Sequence, residues 1–248
     1  MTTDDRRVAL ITGASRGIGA ATAQELASNG FDVVLTARSA SALEDVADSI
    51  RKNGGHALAV ASDATDLSSL EALVERTIGE VGRIDVLVNN AGYLPDAHPL
   101  CESTRETWEA TLAVNLRAPW YLSNLVYPHM KAAGGGAIVN VTSSAGIQPE
   151  IGLGVYGVSK AGVISLTRIA AREWARDNIR VTAVAPGLTD TEMAAPLSAY
   201  LTKRGKPLSL LGDVIEPAEV ARLIDFIVSD RGRHMTGGVV TLDAGHTL

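Results

Sequence analysis

The sequence predicts a doubly wound α/β fold, a parallel sheet of about seven strands with helices on both faces. Three observations predict it. Short apolar runs recur along the chain, longer helix-like stretches separate most of them, and the runs are mostly Val, Ile, Leu and Ala without polar alternation. Strand and helix in alternation is the pattern of βαβ units, and strands lacking a polar face are those covered on both sides.

The expected strands are residues 8–12, 32–37, 57–61, 84–88, 137–141, 180–185 and 238–242, and the expected helices are 17–28, 41–53, 67–81, 103–129, 155–177 and 217–229. Gly30 follows the first helix, Gly54 and Gly55 follow the second, and Pro217 opens the last, where a missing N–H costs nothing. Residues 191–215 interrupt the rhythm and read as an inserted loop with short helices, a substrate lid over about residues 190–215. No linker, charge run or fixed-period repeat divides the chain, so residues 1–248 are expected to form one domain.

Composition narrows the function. A formal net charge of -6 argues against a nucleic-acid partner, which normally requires a basic face. Cys101 is the only cysteine, so no internal disulfide or cysteine-based metal site is expected, and a reducing compartment fits. His56, His98, His129, His234 and His246 lack metal-ligand spacing, so no metal is expected. No apolar run approaches the roughly 18 residues of a membrane span; no membrane association is expected, and the cytoplasm is the expected location.

Thr12-Gly13-Ala14-Ser15-Arg16-Gly17-Ile18-Gly19 places three glycines between the first strand and the first helix. Glycine lets the backbone approach a pyrophosphate, and the helix start favours negative charge, so Gly13, Ser15, Arg16, Gly17, Ile18 and Gly19 are candidate cofactor contacts. The spacing is Gly-x-x-x-Gly-x-Gly rather than the general dinucleotide fingerprint. Its wording resembles the cofactor turn of the short-chain dehydrogenase/reductase family, and with the motifs below the resemblance spans residues 8–245. It implies a Rossmann fold and hydride transfer between a nicotinamide cofactor and a carbonyl or alcohol.

NAD-preferring folds usually place an acid near the end of the second strand, to bond the adenosine ribose. Here Ala37 stands there, followed by Arg38. Arg38 and Arg16 offer two guanidinium groups to a ribose 2′-phosphate, which points to NADP(H). The family resemblance further implies adenine contact at Asp63 and Ala64, although a helix-capping Asp would read similarly. Asn89-Asn90-Ala91-Gly92 resembles a family signature, implying that Asn90, Ala91 and Gly92 steady the sheet and line the adenosine pocket.

Tyr156 and Lys160 are four residues apart, on one face of a helix. A nearby ammonium favours phenolate, so Lys160 is expected to lower the phenol toward neutrality from its usual value of about 10. Tyr156 is expected to protonate the carbonyl oxygen as hydride reaches carbon, and to take the proton back in alcohol oxidation. Thr142-Ser143-Ser144 lies at the carboxyl end of a strand, where α/β ligand sites form. Family spacing to Tyr156 implies Ser143 as the hydroxyl that binds the substrate oxygen, with Thr142 and Ser144 as turn-formers. Asn115, a polar amide in an apolar helix, resembles the family's asparagine that positions a water beside the catalytic lysine; a buried Asn satisfying helix backbone is the alternative. Pro186-Gly187-Leu188-Thr189-Asp190-Thr191 resembles the family's Pro-Gly-x-x-x-Thr segment, implying that Pro186, Gly187, Thr189 and Thr191 hold the carboxamide and fix the ring face.

The motif wording resembles 3-oxoacyl-acyl-carrier-protein reductases but is shared by reductases of sugars, steroids and cyclic ketones, so it names no substrate. Carrier-protein reductases dock the acidic carrier with two surface arginines; Arg172 matches one, and Tyr127 stands where the other is expected. Met193, Ala194, Ala195, Pro196, Leu197, Tyr200, Leu201, Leu208, Leu210 and Leu211 make the lid apolar, which fits a moderately hydrophobic ketone or ordinary packing. Apolar residues on more than one face of the helices over 112–130 and 155–174, with the resemblance, imply a homodimer or homotetramer. A non-catalytic NADP(H)-binding regulator or scaffold is the rival expectation.

Overall fold

The computed structural model describes residues 6–203, 209–212 and 214–248, without the side chains of Tyr200, Leu201 and Lys203. Seven strands, β1 Val8–Thr12, β2 Asp32–Ala37, β3 His56–Ala61, β4 Val86–Asn89, β5 Gly136–Val141, β6 Ile179–Pro186 and β7 Val239–Leu242, form one sheet in the order β3-β2-β1-β4-β5-β6-β7. Every pairing is parallel. The chain winds outward to β3 and then crosses back to β4, so the order reverses between β1 and β4. That switch point is where open α/β sheets form ligand crevices, beyond the carboxyl ends of the strands.

The helices are α1 Gly17–Ser28, α2 Ala40–Lys52, α3 Leu67–Val81, α4 Arg105–Leu112, α5 Ala118–Ala132, α6 Gly154–Trp174, α7 Ala195–Lys203 and α8 Pro217–Val228. Side chains alternate across the strands and build two cores. Ala9 and Ile11 of β1 pack with Leu26 of α1, Leu43 of α2 and Ile224 of α8. Val8 and Leu10 face the other way, toward Leu73 of α3, Leu122 of α5 and Ala170 of α6. Both faces are therefore covered, as the unalternated apolar strands require.

Most element boundaries fall within one or two residues of those expected. The exception is the stretch expected as one helix over 103–129. It is α4 and α5 joined by a π turn at Ala113–Arg117, which contains Asn115. A π turn bonds i to i+5 and inserts one residue into the helical repeat. The stretch expected as a lid is bracketed by a bridge between Thr189 and Ile215 and carries α7; its residues 204–208, Leu208 among them, and 213 lie outside the described residues. Among the described residues no helix is long and apolar enough to cross a membrane, and no three His, Cys, Asp or Glu cluster to hold a metal.

Candidate active site

A cleft of about 1270 Å³ runs along the carboxyl ends of the strands, from Arg38 and Asp63 at one end to Tyr156, Glu150 and His246 at the other. Its floor is the glycine turn. Gly13 and Gly17 have φ of 64° and 56°, in the left-handed region that disfavours a side chain. Gly19 has no room for one, since a Cβ there would lie 2.2 Å from the Gly13 carbonyl oxygen and 2.5 Å from Asn90 Nδ2. Asn90 pins the turn by donating from Nδ2 to the carbonyls of Thr12 (2.9 Å) and Gly13 (3.3 Å). Thr12 Oγ1 accepts from the N–H groups of Asn90 and Ala91, each at 2.9 Å. Helix α1 begins without a side-chain cap and without an acid in its first turn, so its first N–H groups stay available to an anion beside Ser15 and Ile18.

At the adenosine end Arg38 is exposed, with no ion-pair partner among the described residues. Arg16 is already engaged: its Nη1 lies 2.6 Å from Glu192 Oε2 at the start of the lid. Asp63 is not the cap of α3, which is Asp66. Its Oδ1 instead accepts from the Thr65 N–H and hydroxyl, at 2.8 Å each, which tightens the loop carrying Ala64 along the cleft wall.

The chemical end is built from β5, the π turn and α6. Ser143 leaves β5 with its Oγ accepting from the Ala145 N–H at 3.2 Å. Tyr156 stands on the first turns of α6, half-buried. Burial pushes its pKa up to about 12; the Ser143 hydroxyl pulls downward and the negative charge of Glu150 pushes further up. The sequence expectation was the opposite direction. The reason is where Lys160 points: its buried Nζ donates to the Val141 carbonyl at 3.0 Å and sits 5.6 Å from the centre of the Tyr156 ring. Burial in turn lowers Lys160 to about 8.

Asn115 is buried, but its amide serves a loop rather than its own helix. Oδ1 accepts from the Tyr93 N–H (2.7 Å), while Nδ2 donates to the Tyr93 carbonyl (2.9 Å) and to Ser159 Oγ (3.0 Å). Gly92 lies between Asn115 Oδ1 and Lys160 Nζ, with both within 4 Å of where its Cβ would stand. Beyond β6, Pro186 and Gly187 line the cleft; Thr189 Oγ1 donates to the Gly187 carbonyl (3.1 Å), and Thr191 Oγ1 to the Thr189 carbonyl (3.4 Å).

The structure thus brings all the sequence-derived candidates to one cleft wall or its supports, Asn115 from behind. It adds four that sequence reasoning missed: Thr12, which bonds the glycine turn to β4, Glu192, Glu150 and His246. Thr12 sits inside the recognised motif and was open to notice. The others meet their partners only through folding, across 176 and 96 residues.

A family model described as short chain dehydrogenase matches residues 7–201. Cis-4-hydroxycyclohexanecarboxylate dehydrogenase of Sinomonas cyclohexanicum is 41% identical over 241 residues, covering 97% of this chain and 96% of that protein. The 3-oxoacyl-[acyl-carrier-protein] reductase of Synechocystis sp. is 38% identical over 250 residues and is covered in full, as is this chain. A solved structure of an actinorhodin polyketide ketoreductase variant with NADPH matches with a TM-score of 0.94 at 30% identity, covering 100% of this chain and 99% of that one. The chain belongs to the short-chain dehydrogenase family and is an oxidoreductase of C=O and CH–OH groups that uses a nicotinamide cofactor.

Proposed function

We propose that this enzyme is an NADP(H)-dependent carbonyl reductase and alcohol dehydrogenase that interconverts a moderately hydrophobic ketone, alicyclic by preference, and its secondary alcohol. The observation that carries the reading is the Tyr156 phenol beside the Ser143 hydroxyl, at the opposite end of one cleft from the guanidinium of Arg38, which has no ion-pair partner among the described residues. The glycine turn fits a dinucleotide, because its cradle has no space for side chains at Gly13 and Gly19.

When bound, the nicotinamide supplies or removes the hydride. Gly13, Ser15, Gly17, Ile18 and Gly19 hold the pyrophosphate against the start of α1. Arg38 takes the 2′-phosphate, joined by Arg16 once that side chain leaves Glu192. Asp63, Ala64, Asn90, Ala91 and Gly92 line the adenosine half, and Pro186, Gly187, Thr189 and Thr191 hold the carboxamide. Ser143 hydrogen-bonds the substrate oxygen, and Tyr156 delivers its proton there. The raised phenol pKa keeps that proton in place until charge develops on the oxygen. Lys160 returns a proton to Tyr156 through a water that Asn115, on the other side of Gly92, positions.

The relative named for a hydroxycyclohexanecarboxylate supports an alicyclic ring as the substrate's frame, and only the ring, not the carboxylate, is carried to this chain. A carrier-protein substrate has weaker support. Tyr127 donates to Asp177 at 2.7 Å and Lys131 pairs with Asp177 at 3.1 Å, so the position expected to present a docking cation is committed to an acid. Exposed Trp108, Trp120 and Ile169 on α4, α5 and α6, with a groove lined by Leu112, Leu116, Arg117, Trp120 and Leu166, support a homo-oligomer through these helices. We further infer one catalytic domain with residues 190–215 as its lid, acting in the cytoplasm on a small molecule.

The test is NADPH oxidation across acetoacetyl thioesters, cyclic and aromatic ketones, steroid ketones and keto-sugars, run with the wild type and Tyr156→Phe. Turnover of cyclic ketones that falls at least 100-fold in Tyr156→Phe, with NADPH binding retained, supports the reading. Near-normal turnover in the variant overturns the proton-donor assignment.

A further inference from the structure

Two residues at the substrate end of the cleft neither bind nor protonate the substrate in the chemistry above. Glu150 comes from the loop between β5 and α6, and His246 from the segment after β7; both line the cleft. His246 Nε2 lies 2.9 Å from Glu150 Oε1, so that nitrogen carries the hydrogen the carboxylate accepts. The other carboxylate oxygen has no hydrogen-bond partner among the described residues.

The turn that presents His246 is a built feature. Ala244 adopts φ 49°, a left-handed conformation that a residue with a Cβ rarely takes. Buried Asp243 holds it there, accepting from the Gly245 N–H (3.1 Å), the Thr247 N–H (3.0 Å) and the Thr247 hydroxyl (2.5 Å). The Ala244 carbonyl accepts from the N–H groups of Leu210 and Leu211, which ties the turn to the far end of the lid. His246 is thereby aimed at Glu150 by three converging segments. Glu150 is also near enough to the phenol for its charge to act on Tyr156.

The other cations of the cleft are engaged or distant. Lys160 is bound to the Val141 carbonyl, Arg16 to Glu192, and Arg38 lies at the opposite end. Among the described residues the substrate end therefore offers an unpartnered carboxylate oxygen, with its amine, Lys160 Nζ, turned to the Val141 carbonyl and His246 Nε2 turned to Glu150 itself. A substrate hydroxyl finds an acceptor there, and a substrate carboxylate meets like charge.

We propose that Glu150, aimed by His246, sets substrate specificity: it accepts a hydrogen bond from a hydroxyl remote from the reacting carbonyl and disfavours a carboxylate at that place. The inference rests on the carbonyl-reductase reading above. It is tested by kcat/KM with NADPH for cyclohexanone, 4-hydroxycyclohexanone and 4-oxocyclohexanecarboxylate, in the wild type, Glu150→Met, Glu150→Gln and His246→Gln. Cyclohexanone is the reference that divides out any loss common to all three ketones. The wild type is expected to prefer the hydroxyketone over cyclohexanone by about tenfold and to discriminate about as strongly against the carboxylate. Glu150→Met should bring both ratios near one. Glu150→Gln, which keeps an acceptor without the charge, should relieve only the carboxylate penalty, and His246→Gln should weaken both ratios. A wild type that reduces cyclohexanone with ratios unchanged in every variant overturns the specificity assignment; a wild type that reduces none of the three ketones overturns the reductase reading beneath it.

Discussion

Replacing Gly19 by Ala places a methyl group where the structure leaves no space for one. The added Cβ would stand 2.2 Å from the Gly13 carbonyl oxygen and 2.5 Å from Asn90 Nδ2. Neither atom yields freely, because Asn90 Nδ2 is bonded to the carbonyls of both Thr12 and Gly13. Separating them by about 1 Å overpacks the turn at a cost of about 1–3 kcal/mol and weakens a hydrogen bond worth about 1 kcal/mol. The better helix propensity of Ala at the start of α1 returns up to about 1 kcal/mol. The net loss is about 1–3 kcal/mol, or roughly 2–12 °C in the thermal midpoint of a chain this size. NADPH affinity should suffer more than stability, since the displaced carbonyl and amide shape the pyrophosphate cradle; the dissociation constant is expected to rise at least about tenfold. Thermal unfolding and NADPH fluorescence titration measure both. Gly79→Ala in α3 is the control, because a Cβ there meets nothing within 4 Å and should stabilise by about 0.5–1 kcal/mol without changing NADPH affinity. A Gly19→Ala protein with wild-type midpoint and affinity within twofold would refute the steric argument.

Arg38→Asp should lower the NADPH-to-NADH ratio of kcat/KM by at least about tenfold, by replacing the 2′-phosphate's partner with like charge; an unchanged ratio would discredit the assignment. Glu192→Gln releases Arg16 and should lower the KM for NADPH about two- to threefold, a small effect because both partners are largely exposed; a rise in KM would show that the pair assists binding. Lys160, lowered to about 8 from 10.5, gives the free enzyme a stability that rises between those values, because there the unfolded chain binds the proton that the folded chain has lost. Tyr156, raised to about 12, acts in the opposite sense above pH 10. Urea midpoints at pH 7.5 and 9.5 should therefore climb less in Lys160→Met than in the wild type, and parallel slopes would contradict the buried-amine argument.

The strands were legible because a central parallel strand is covered on both faces, so Val8–Thr12 and Gly136–Val141 read as plain apolar runs. The glycine turn was legible because its conformations admit few residues besides glycine. The π turn was not, since five residues hold too little of a period to separate 3.6 residues per turn from a locally wider coil. The spacing of Tyr156 and Lys160 correctly placed both on one helix face, yet it could not show that the lysine amine reaches the Val141 carbonyl. That choice depends on β5 lying beneath α6, a tertiary fact. Glu150 and His246 were invisible for the same reason: an isolated Glu and an isolated His mean nothing until the chain's last turn is folded onto the β5–α6 loop.

The π turn also makes chain length a functional variable. The helical path from α4 to α5 carries one residue more than an unbroken α-helix would need to cover the same rise. Loss of a single codon within residues 113–117 would let the path close into regular helix with α4 and α5 keeping their faces, because the wider turn already absorbs the extra residue. The helix itself would survive such a deletion. The clasp of Asn115 on Tyr93 and Ser159 would not, so an otherwise folded protein would lose the bracket behind Lys160.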